Sequence, residues 1–451
     1  METSRQASES HARSITQGMY SMMDRIGQVF FGFVNIFFLA RMLSKSELGI
    51  WLLFTSVTSI LEMLRNGFIR NPFITHLVSA NDSEKSSIVT SSFLLHCGLA
   101  AFLSLVLVAG GAPLALFWKA EGLAQLFYIY AINSIIFIPY FHLLYIQHAT
   151  LKFKDVFIGN AVRLGLLSLF IIYHFFTKDP PTLVSLAIAQ LVATVMATAV
   201  RYIGEKRTLD FNNKINWTLI KELFHFGKFT LGTNISSMLV KNTDSWMIGR
   251  MISTAGVAMY NPAVRISNLV EVPTLAIASV FFPQVGKKMK ESGTEGVRDI
   301  YVKSVSLILA LTLPVVVPIY LFPEFVITLI FGPDYIDAAV ILQVTLFYTL
   351  LVPFNRQFGT VMDGTKRPKL NFYLLVLVAT LNLVFNYFFL GWFGLVGSAF
   401  ATLLSYSVVF ILNQIILYNI FRINTLHVFI EIIEWYKLGW SLFRRKVLKL
   451  A

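Results

Sequence analysis

Ionisable side chains interrupt several long apolar stretches of this sequence, where such groups are uncommon. A charged side chain at the centre of a bilayer costs roughly 2.5–3.5 kcal/mol on insertion scales, so residues of this kind usually face a cavity and serve a function. The pattern therefore indicates a charge-lined cavity inside a membrane protein. The residues concerned are Asp24, Arg25, Glu62, Arg65, Arg163, Lys241, Asp244, Arg265, Glu271 and Arg356.

The cations of this set outnumber the acids, and that balance predicts what the cavity binds. An arginine fork binds two phosphate oxygens at once and keeps its proton, whereas a lysine acts as a point charge. A cavity of this sign suits an anionic, phosphate-bearing substrate better than a cationic drug. We expect the substrate to be bound by Arg25, Arg163, Lys241, Arg265 and Arg356.

The acids have two open roles, since they either orient the cations or bind a coupling ion, H⁺ or Na⁺. Glu62 and Arg65 stand three residues apart, as do Lys241 and Asp244. This spacing predicts local ion pairs on one helical face. Buried pairs of this type can also hold helices together without any role in transport. The acids are Asp24, Asp244, Glu271 and Glu62.

The bulk composition places these residues in a membrane. Hydrophobic residues make up 56% of the 451 positions and charged residues only 14%, and the mean hydropathy is +0.68. A soluble domain carries roughly 25% charged residues, and about 20 apolar residues cross a bilayer as one helix. We predict an all-α polytopic membrane protein with about twelve transmembrane helices, at residues 15–42, 48–70, 86–117, 122–147, 155–176, 182–203, 220–250, 254–283, 301–322, 336–360, 369–390 and 395–421.

The basic residues predict the orientation of these spans. The net charge is +13, which in a soluble protein would suggest a nucleic-acid partner. Lys and Arg in cytoplasmic loops account for it here, because most of the 37 basic residues then lie on the cytoplasmic side. We predict both termini in the cytoplasm, with a tail at residues 1–14 before an uncleaved first span and a linker at residues 204–219.

A four-residue turn recurs in the second half of the chain. Arg41-Met42-Leu43-Ser44 returns as Arg250-Met251-Ile252-Ser253, and the same offset maps Glu62 onto Glu271. Because six spans return the chain to its starting side, the recurrence predicts two parallel six-helix bundles around a central cavity. The predicted bundles are residues 15–203 and 220–421. The offset also maps the polar series Arg25, Gln28, Gly32 and Asn35 onto Asn234, Ser237, Lys241 and Asp244.

The C-terminal residues 422–451 depart from the pattern of the spans. They mix apolar side chains with Glu431, Glu434, Lys437 and a basic end, which is too much charge for a transmembrane helix. We predict an amphipathic helix that lies on the cytoplasmic leaflet, with its basic end near anionic lipid.

Motifs for several other chemistries are missing from the sequence. It contains no Walker A sequence, no HExxH and no CxxC, and the lone Cys97 can form neither an internal disulfide nor a metal cluster by itself. We therefore predict a transporter and not an enzyme, with no catalytic residue, no metal site and no cofactor beyond the coupling ion.

Short motifs share their order and spacing with those of one family. They are Phe38-Leu39-Ala40-Arg41-Met42-Leu43, Glu47-Leu48-Gly49-Ile50-Trp51, Asp244 with Ile248-Gly249, Gly256, Tyr260-Asn261-Pro262, Phe282-Pro283, Gly364, Leu381-Asn382-Leu383, Asn386, and Gly394 to Thr402. Over about residues 15–420 the chain resembles the oligosaccharide-lipid flippases of the multidrug/oligosaccharidyl-lipid/polysaccharide exporter superfamily, which are the O-antigen and capsule repeat-unit translocases.

The resemblance implies two six-helix bundles around a cationic cavity and an alternating-access mechanism. It also implies a substrate, an undecaprenyl-pyrophosphate-linked oligosaccharide repeat unit. This substrate would move from the cytoplasmic to the periplasmic leaflet of the bacterial inner membrane, for O-antigen (lipopolysaccharide), capsule or exopolysaccharide biosynthesis. The expected partners are membrane lipids and glycan-assembly proteins, and not nucleic acid.

Three alternative functions stay open at this point. A scaffold of a glycan-assembly complex would use the C-terminal amphipathic tail. A cation-coupled multidrug exporter of the same fold would need acids to dominate the cavity. A membrane glycan polymerase or ligase would need a sizeable region on the outer face, and the predicted outer loops are short.

Overall fold

The described part of the chain is helical throughout. The structure is a computed structural model that describes residues 2–205 and 215–446, and within these ranges no strand occurs. The helices are α1 Glu2–Met42, α2 Lys45–Arg65, α3 Asn71–Ser79, α4 Asp82–Trp118, α5 Leu123–Ala149, α6 Phe153–Thr177, α7 Leu183–Glu205, α8 Trp217–Met251, α9 Thr254–Val270, α10 Val272–Leu321, α11 Pro323–Phe331, α12 Ala338–Gly364, α13 Pro368–Phe421 and α14 Leu426–Lys446.

Nine helical stretches in the described residues are long and apolar enough to cross a membrane. The predicted all-α, multi-pass membrane protein is therefore confirmed, whereas the twelve-span count and the two-bundle repeat stay predictions. The stretches are Thr16–Met42, Lys45–Ser79, Asp82–Trp118, Leu123–Ala149, Phe153–Thr177, Leu183–Glu205, Val272–Leu321, Ala338–Gly364 and Pro368–Phe421.

The recurring turn begins a helix in both halves of the chain. Ser44 caps α2, because its hydroxyl accepts a hydrogen bond from the Glu47 amide at 3.2 Å while the Glu47 carboxylate accepts one from the Ser44 amide at 3.0 Å. Ser253 caps α9 through the Gly256 amide at 3.0 Å. A serine that binds the free amides of a first helical turn stabilises the helix start, which gives the recurrence a structural reason.

Two glycines break long helices into two segments each. Gly293 in α10 and Gly394 in α13 have φ values of +60° and +58°, a region that glycine adopts at little cost. Residues 284–300, which lie between two of the predicted spans, are helical on both sides of the break at Gly293. A π-helix at Asn66–Arg70 continues α2 into α3. The helical structure therefore extends beyond residue 70, where the second predicted span ends.

The chain folds into two compact units, which we call the N-terminal unit, Met1–Ile235, and the C-terminal unit, Ser236–Ala451. The core of the C-terminal unit contains Tyr301, Phe358, Phe421 and Ile432. Ile432 belongs to α14, so the tail helix packs into this unit. Its position at a membrane surface stays a prediction.

Candidate functional site

A buried carboxylate joins three helices of the C-terminal unit. Asp244 of α8 is 8% exposed, and its Oδ2 accepts hydrogen bonds from the Tyr260 hydroxyl at 2.7 Å and the Thr402 hydroxyl at 2.8 Å. Its Oδ1 accepts from the amides of Asn386 and Asn382 at 2.8 and 3.2 Å. We call these five residues the Asp244 cluster. They come from α8, α9 and the two segments of α13.

The break at Gly394 brings the two segments of α13 together at this cluster. The Asn382 amide donates to the Thr402 hydroxyl at 2.8 Å, and the Ser398 hydroxyl donates to the Asn386 oxygen at 2.6 Å. A Cβ atom at Gly397 would lie 2.0 Å from a backbone carbonyl oxygen, that of Phe389. The close approach of the segments therefore requires glycine at position 397.

The Asp244 cluster has the chemistry of a site for a proton or a small hard cation. Each of its side chains offers an oxygen, as a carboxylate, a hydroxyl or an amide, and hard cations take oxygen ligands. The Asn382 Oδ1 is buried and has no hydrogen-bond partner in the described part of the chain, which is uncommon in native proteins. Rotation of that amide would turn its oxygen toward the carboxylate and complete an oxygen-lined site.

The predicted ion pair of Lys241 with Asp244 is wrong. Lys241 is exposed, whereas Asp244 points into the helices that supply its neutral donors, and no ion pair joins the two within the described residues. Lys241 instead interacts electrostatically with Glu271, as does Arg356 of α12. Glu271 lies between the end of α9 and the start of α10. The acid is therefore at the junction of these two helices.

Arg265 of α9 is half-buried and forms a local contact. Its Nε donates to the Asn261 oxygen at 3.1 Å, one turn earlier in the same helix. Arg356 of α12 is exposed. The predicted polar series of α8 is described only for Lys241 and Asp244, because the side chains of Asn234 and Ser237 lie outside the described residues.

A second polar cluster lies in the N-terminal unit and contains the predicted residues Glu62 and Arg163. Their side chains approach to 3.7 Å, from Arg163 Nη1 to Glu62 Oε1, and the Tyr130 hydroxyl donates to the same oxygen at 3.1 Å. Arg65 completes it, since the guanidinium groups of Arg65 and Arg163 lie 5.6 and 5.4 Å from the ring centre of Phe137. We call these five residues the Arg163 cluster.

The predicted local pair of Glu62 with Arg65 is also wrong. Arg65 turns away into the protein, where it is 3% exposed and its Nη2 donates to the Ser134 hydroxyl at 2.6 Å and to the Ser134 carbonyl at 3.2 Å. Its Nη1 is buried without a hydrogen-bond partner, as is the Nε of Arg163. The partners of Glu62 and Arg65 thus lie on α5 and α6. Tertiary contacts determine them, and the spacing of the two residues along α2 does not.

The remaining predicted acid, Asp24 of α1, belongs to a third arrangement. Its carboxylate accepts from the amides of Asn160 at 2.8 Å and Gln28 at 2.9 Å. The Asn160 oxygen in turn accepts from the guanidinium of Arg201 at 2.8 Å. Arg201 is 1% exposed, whereas the predicted residue Arg25 is exposed.

Several of these side chains were not predicted as site residues. Tyr260, Asn382, Asn386 and Thr402 occur in the motifs that carry the family resemblance, but their convergence on Asp244 depends on how the helices pack. Arg201 lies two residues before the predicted end of a span at residue 203, where a basic residue is usually an interfacial anchor. An asparagine or threonine recurring on one face of an apolar helix would have been the available signal.

Comparison with known proteins identifies a family over most of the chain. The model of a family described as polysaccharide biosynthesis protein matches residues 38–340. An uncharacterized membrane protein of Methanocaldococcus jannaschii is 26% identical over 230 residues, which cover 49% of this chain and 45% of that protein. A probable low-salt glycan biosynthesis flippase of Haloferax volcanii is 24% identical over 188 residues, 42% of this chain and 40% of the relative. The matches span less than half the length of each relative.

Solved structures share the fold over nearly the whole chain. An inward-facing multidrug resistance transporter of the MATE family, from the MOP superfamily, has a TM-score of 0.73 at 18% identity, covering 87% of this chain and 95% of its own. The lipid II flippase MurJ in an inward closed conformation has a TM-score of 0.68 at 14% identity, covering 96% and 100%. At these identities the likeness establishes the fold alone.

Proposed function

Because the chain belongs to the polysaccharide biosynthesis protein family, we propose that it moves a lipid-linked oligosaccharide across the membrane by alternating access. The relative from Haloferax volcanii is a probable glycan biosynthesis flippase, and the fold is shared with a lipid II flippase. Both support a transporter over a polymerase or ligase.

One observation carries the proposal beyond the family, namely the excess of cations in the membrane-spanning helices. The Arg163 cluster contains two guanidinium groups and one carboxylate, of which Arg163 contacts Glu62 while Arg65 binds Ser134. In the C-terminal unit, the predicted cations Lys241, Arg265 and Arg356 outnumber the predicted acids Asp244 and Glu271. Charges in a membrane interior are retained where they bind a partner, and an anionic headgroup or sugar acid supplies the missing negative charge.

The residues then divide into two roles. Arg25, Arg163, Lys241, Arg265 and Arg356 bind the phosphate or acidic sugar groups of the substrate, since guanidinium and ammonium groups recognise these anions. The acids serve the coupling ion or orient the cations. Among Asp24, Glu62, Asp244 and Glu271, the Asp244 cluster is the best candidate for the H⁺ or Na⁺ site, because it alone gathers oxygens from three helices around one carboxylate.

The lipid carrier, the membrane and the pathway that we assign follow from the family resemblance. We propose that the lipid carrier is undecaprenyl pyrophosphate, that the protein lies in the inner membrane with both termini in the cytoplasm, and that export serves O-antigen, capsule or exopolysaccharide assembly. Membrane lipids and glycan-assembly proteins would be its partners.

A cation-coupled multidrug exporter is the second candidate, favoured by the Asp244 cluster as a coupling site and by the shared fold of a multidrug transporter. The two functions differ in the charge of the substrate. A drug-resistance assay in a sensitised host, run beside a glycan export assay, separates them, because only the exporter would confer resistance to cationic drugs.

The direct experiment is reconstitution. Purified protein in liposomes should move a fluorescent undecaprenyl-pyrophosphate-linked oligosaccharide from one leaflet to the other. The Arg163→Gln variant should insert normally and move it much more slowly, whereas Lys369→Gln, an exposed cation in the first turn of α13, should leave the rate unchanged. A wild-type protein that moves no lipid-linked oligosaccharide would refute the proposal.

A further inference from the structure

The Arg163 cluster holds more positive than negative charge inside a membrane-spanning unit. Arg65 and Arg163 each carry one positive charge, and among the described residues Glu62 is the acid that forms an ion pair with Arg163. Burying an uncompensated cation is costly unless a counter-ion or several hydrogen bonds accompany it. The cluster therefore has the charge of a site that is completed by one further anion.

The hydrogen bonds lead to the same conclusion. Arg65 Nη1 and Arg163 Nε are buried and have no acceptor among the described residues, although a guanidinium has five donors to satisfy. The guanidinium carbons of Arg65 and Arg163 lie 5.6 and 5.4 Å from the ring centre of Phe137, and the ring stabilises both cations while it offers them no oxygen. The unsatisfied donors and the spare charge thus occur on the same two side chains.

Glu62 occupies part of this site with a weak contact. The 3.7 Å separation between its Oε1 and Arg163 Nη1 is longer than the 2.7–2.9 Å of a strong charge-assisted hydrogen bond. Its firmer contact is with the Tyr130 hydroxyl, at 3.1 Å. The side chains of Glu62 and Arg163 are 26% and 19% exposed, so this side of the cluster is the open one, while Arg65 lies behind it.

We infer that Glu62 is an internal plug of an anion subsite. The Glu62 carboxylate contacts Arg163 while the site is empty. An incoming phosphate or sugar carboxylate displaces Glu62 and binds Arg163, and the positive charge of the buried Arg65 also attracts this anion. When the substrate leaves, Glu62 returns and prevents a tightly bound anion from staying. This inference rests on the proposed function, because it assigns a regulatory role at the substrate site.

The test compares anion binding in variants of the plug. Farnesyl diphosphate serves as the probe for a diphosphate and methyl glucuronide as the probe for a sugar carboxylate, each titrated calorimetrically into protein in lipid nanodiscs. Glu62→Gln removes the competing charge and should tighten binding of one probe about tenfold. Glu62→Asp keeps the charge but shortens the side chain, so it should tighten binding less. The probe that responds identifies the anion.

Matched variants make the outcome specific. Glu121→Gln makes the same chemical change at an exposed acid of the N-terminal unit and should leave both affinities unchanged. Adding Arg163→Gln to Glu62→Gln should abolish the gain. Equal affinity in wild type and Glu62→Gln, or a gain that persists without Arg163, would overturn the plug.

The transport assay keeps this inference separate from the proposed function. At saturating substrate, Glu62→Gln should move lipid-linked oligosaccharide more slowly than the wild type, because release becomes slower. If the binding results hold but the wild type moves no such substrate, the anion subsite stands and the proposed function fails. If the wild type transports while Glu62→Gln binds the probes as the wild type does, the reverse holds.

Discussion

The Tyr260 hydroxyl lies 2.7 Å from the Asp244 carboxylate, a contact that ties the second turn of α9 to α8. Both residues are buried. Asn382, Asn386 and Thr402 complete the surroundings of the carboxylate with neutral groups. Among the described residues no guanidinium or ammonium group bonds to this carboxylate, so a bound H⁺ or Na⁺ would be its direct counter-ion.

The first prediction is that sodium binds at Asp244. A ligand that binds only the folded protein stabilises it by about 2.7 kcal/mol at one hundred times its dissociation constant. We expect Na⁺ to raise the melting temperature of the detergent-solubilised wild type by several degrees relative to choline, and to have no effect on Asp244→Asn.

The matched control is Asp363→Asn, because Asp363 is an exposed acid of the same unit whose carboxylate accepts from Asn371. This variant should keep the full response to Na⁺. If Asp244→Asn also keeps the response, sodium binds elsewhere. If neither ion concentration nor pH changes the stability of the wild type, the Asp244 cluster is not a coupling site.

The second prediction concerns the glycine that lets the two segments of α13 meet. In Gly397→Ala the new Cβ would lie 2.0 Å from the Phe389 oxygen, so the backbone must shift. Overpacking of this kind costs typically 1–3 kcal/mol. We expect a lower melting temperature and, because Asn386 and Thr402 move apart, a weaker response to Na⁺. Thermal unfolding with and without Na⁺ measures both.

Gly391→Ala supplies the comparison in the same region. A Cβ at Gly391 meets no atom within 4 Å, so this substitution should leave stability and the sodium response close to those of the wild type. Equal melting temperatures for the two alanine variants would mean that the segments of α13 approach each other less closely than the structure describes.

The sequence predicts the fold class and the acid of this cluster, but not the partners of the acid. Hydropathy and helical length suffice for an all-α membrane protein, and a buried charge marks Asp244 as unusual. Its partners come from α9 and α13, far along the chain. The packing of these helices depends on the break at Gly394, which the sequence places only between the predicted spans 369–390 and 395–421.

The wrong predictions share one physical cause. Glu62 with Arg65, and Lys241 with Asp244, have the spacing of helical ion pairs, which contribute only about 0.2–0.5 kcal/mol on an isolated helix. A buried hydrogen bond to a charged group contributes roughly 1.5–3 kcal/mol. Neutral donors on neighbouring helices therefore outcompete the local partner of Asp244, and Ser134 does the same for Arg65.

The third prediction tests the buried guanidinium of Arg201. A Cβ at Gly159 would lie 2.5 Å from Arg201 Cζ, so Gly159→Ala should push the guanidinium away from Asn160. We expect a loss of roughly 1–3 kcal/mol in stability, the cost of leaving buried polar groups unpaired. Denaturation by heat in detergent would report it as a lower melting temperature.

A double-mutant cycle tells this mechanism from general crowding. In an Arg201→Ala background the guanidinium is gone, so Gly159→Ala should add little further loss. Gly165→Ala, in the same helix, meets only the Phe31 ring at 3.6 Å and should be nearly silent. Additive losses in the cycle would mean that Gly159 does not act through Arg201.

The fourth prediction is that α14 belongs to the core of the C-terminal unit and is not a detachable tail. Trp435 donates to the Ser306 hydroxyl at 3.0 Å and Tyr436 to the Ala310 carbonyl at 3.0 Å, so α14 follows α10 over more than a turn. Ile432 is 6% exposed, whereas the adjacent Ile433 is 56% exposed.

Ile432→Ala should cost roughly 2–5 kcal/mol of stability, the range for such truncations in a core, whereas Ile433→Ala should cost little. The same chemical change at neighbouring positions isolates packing from helix propensity, and thermal unfolding of both variants measures the difference. Equal and small losses would mean that α14 is only loosely attached, and a variant lacking residues 422–451 would then transport normally while losing any partner that the tail binds.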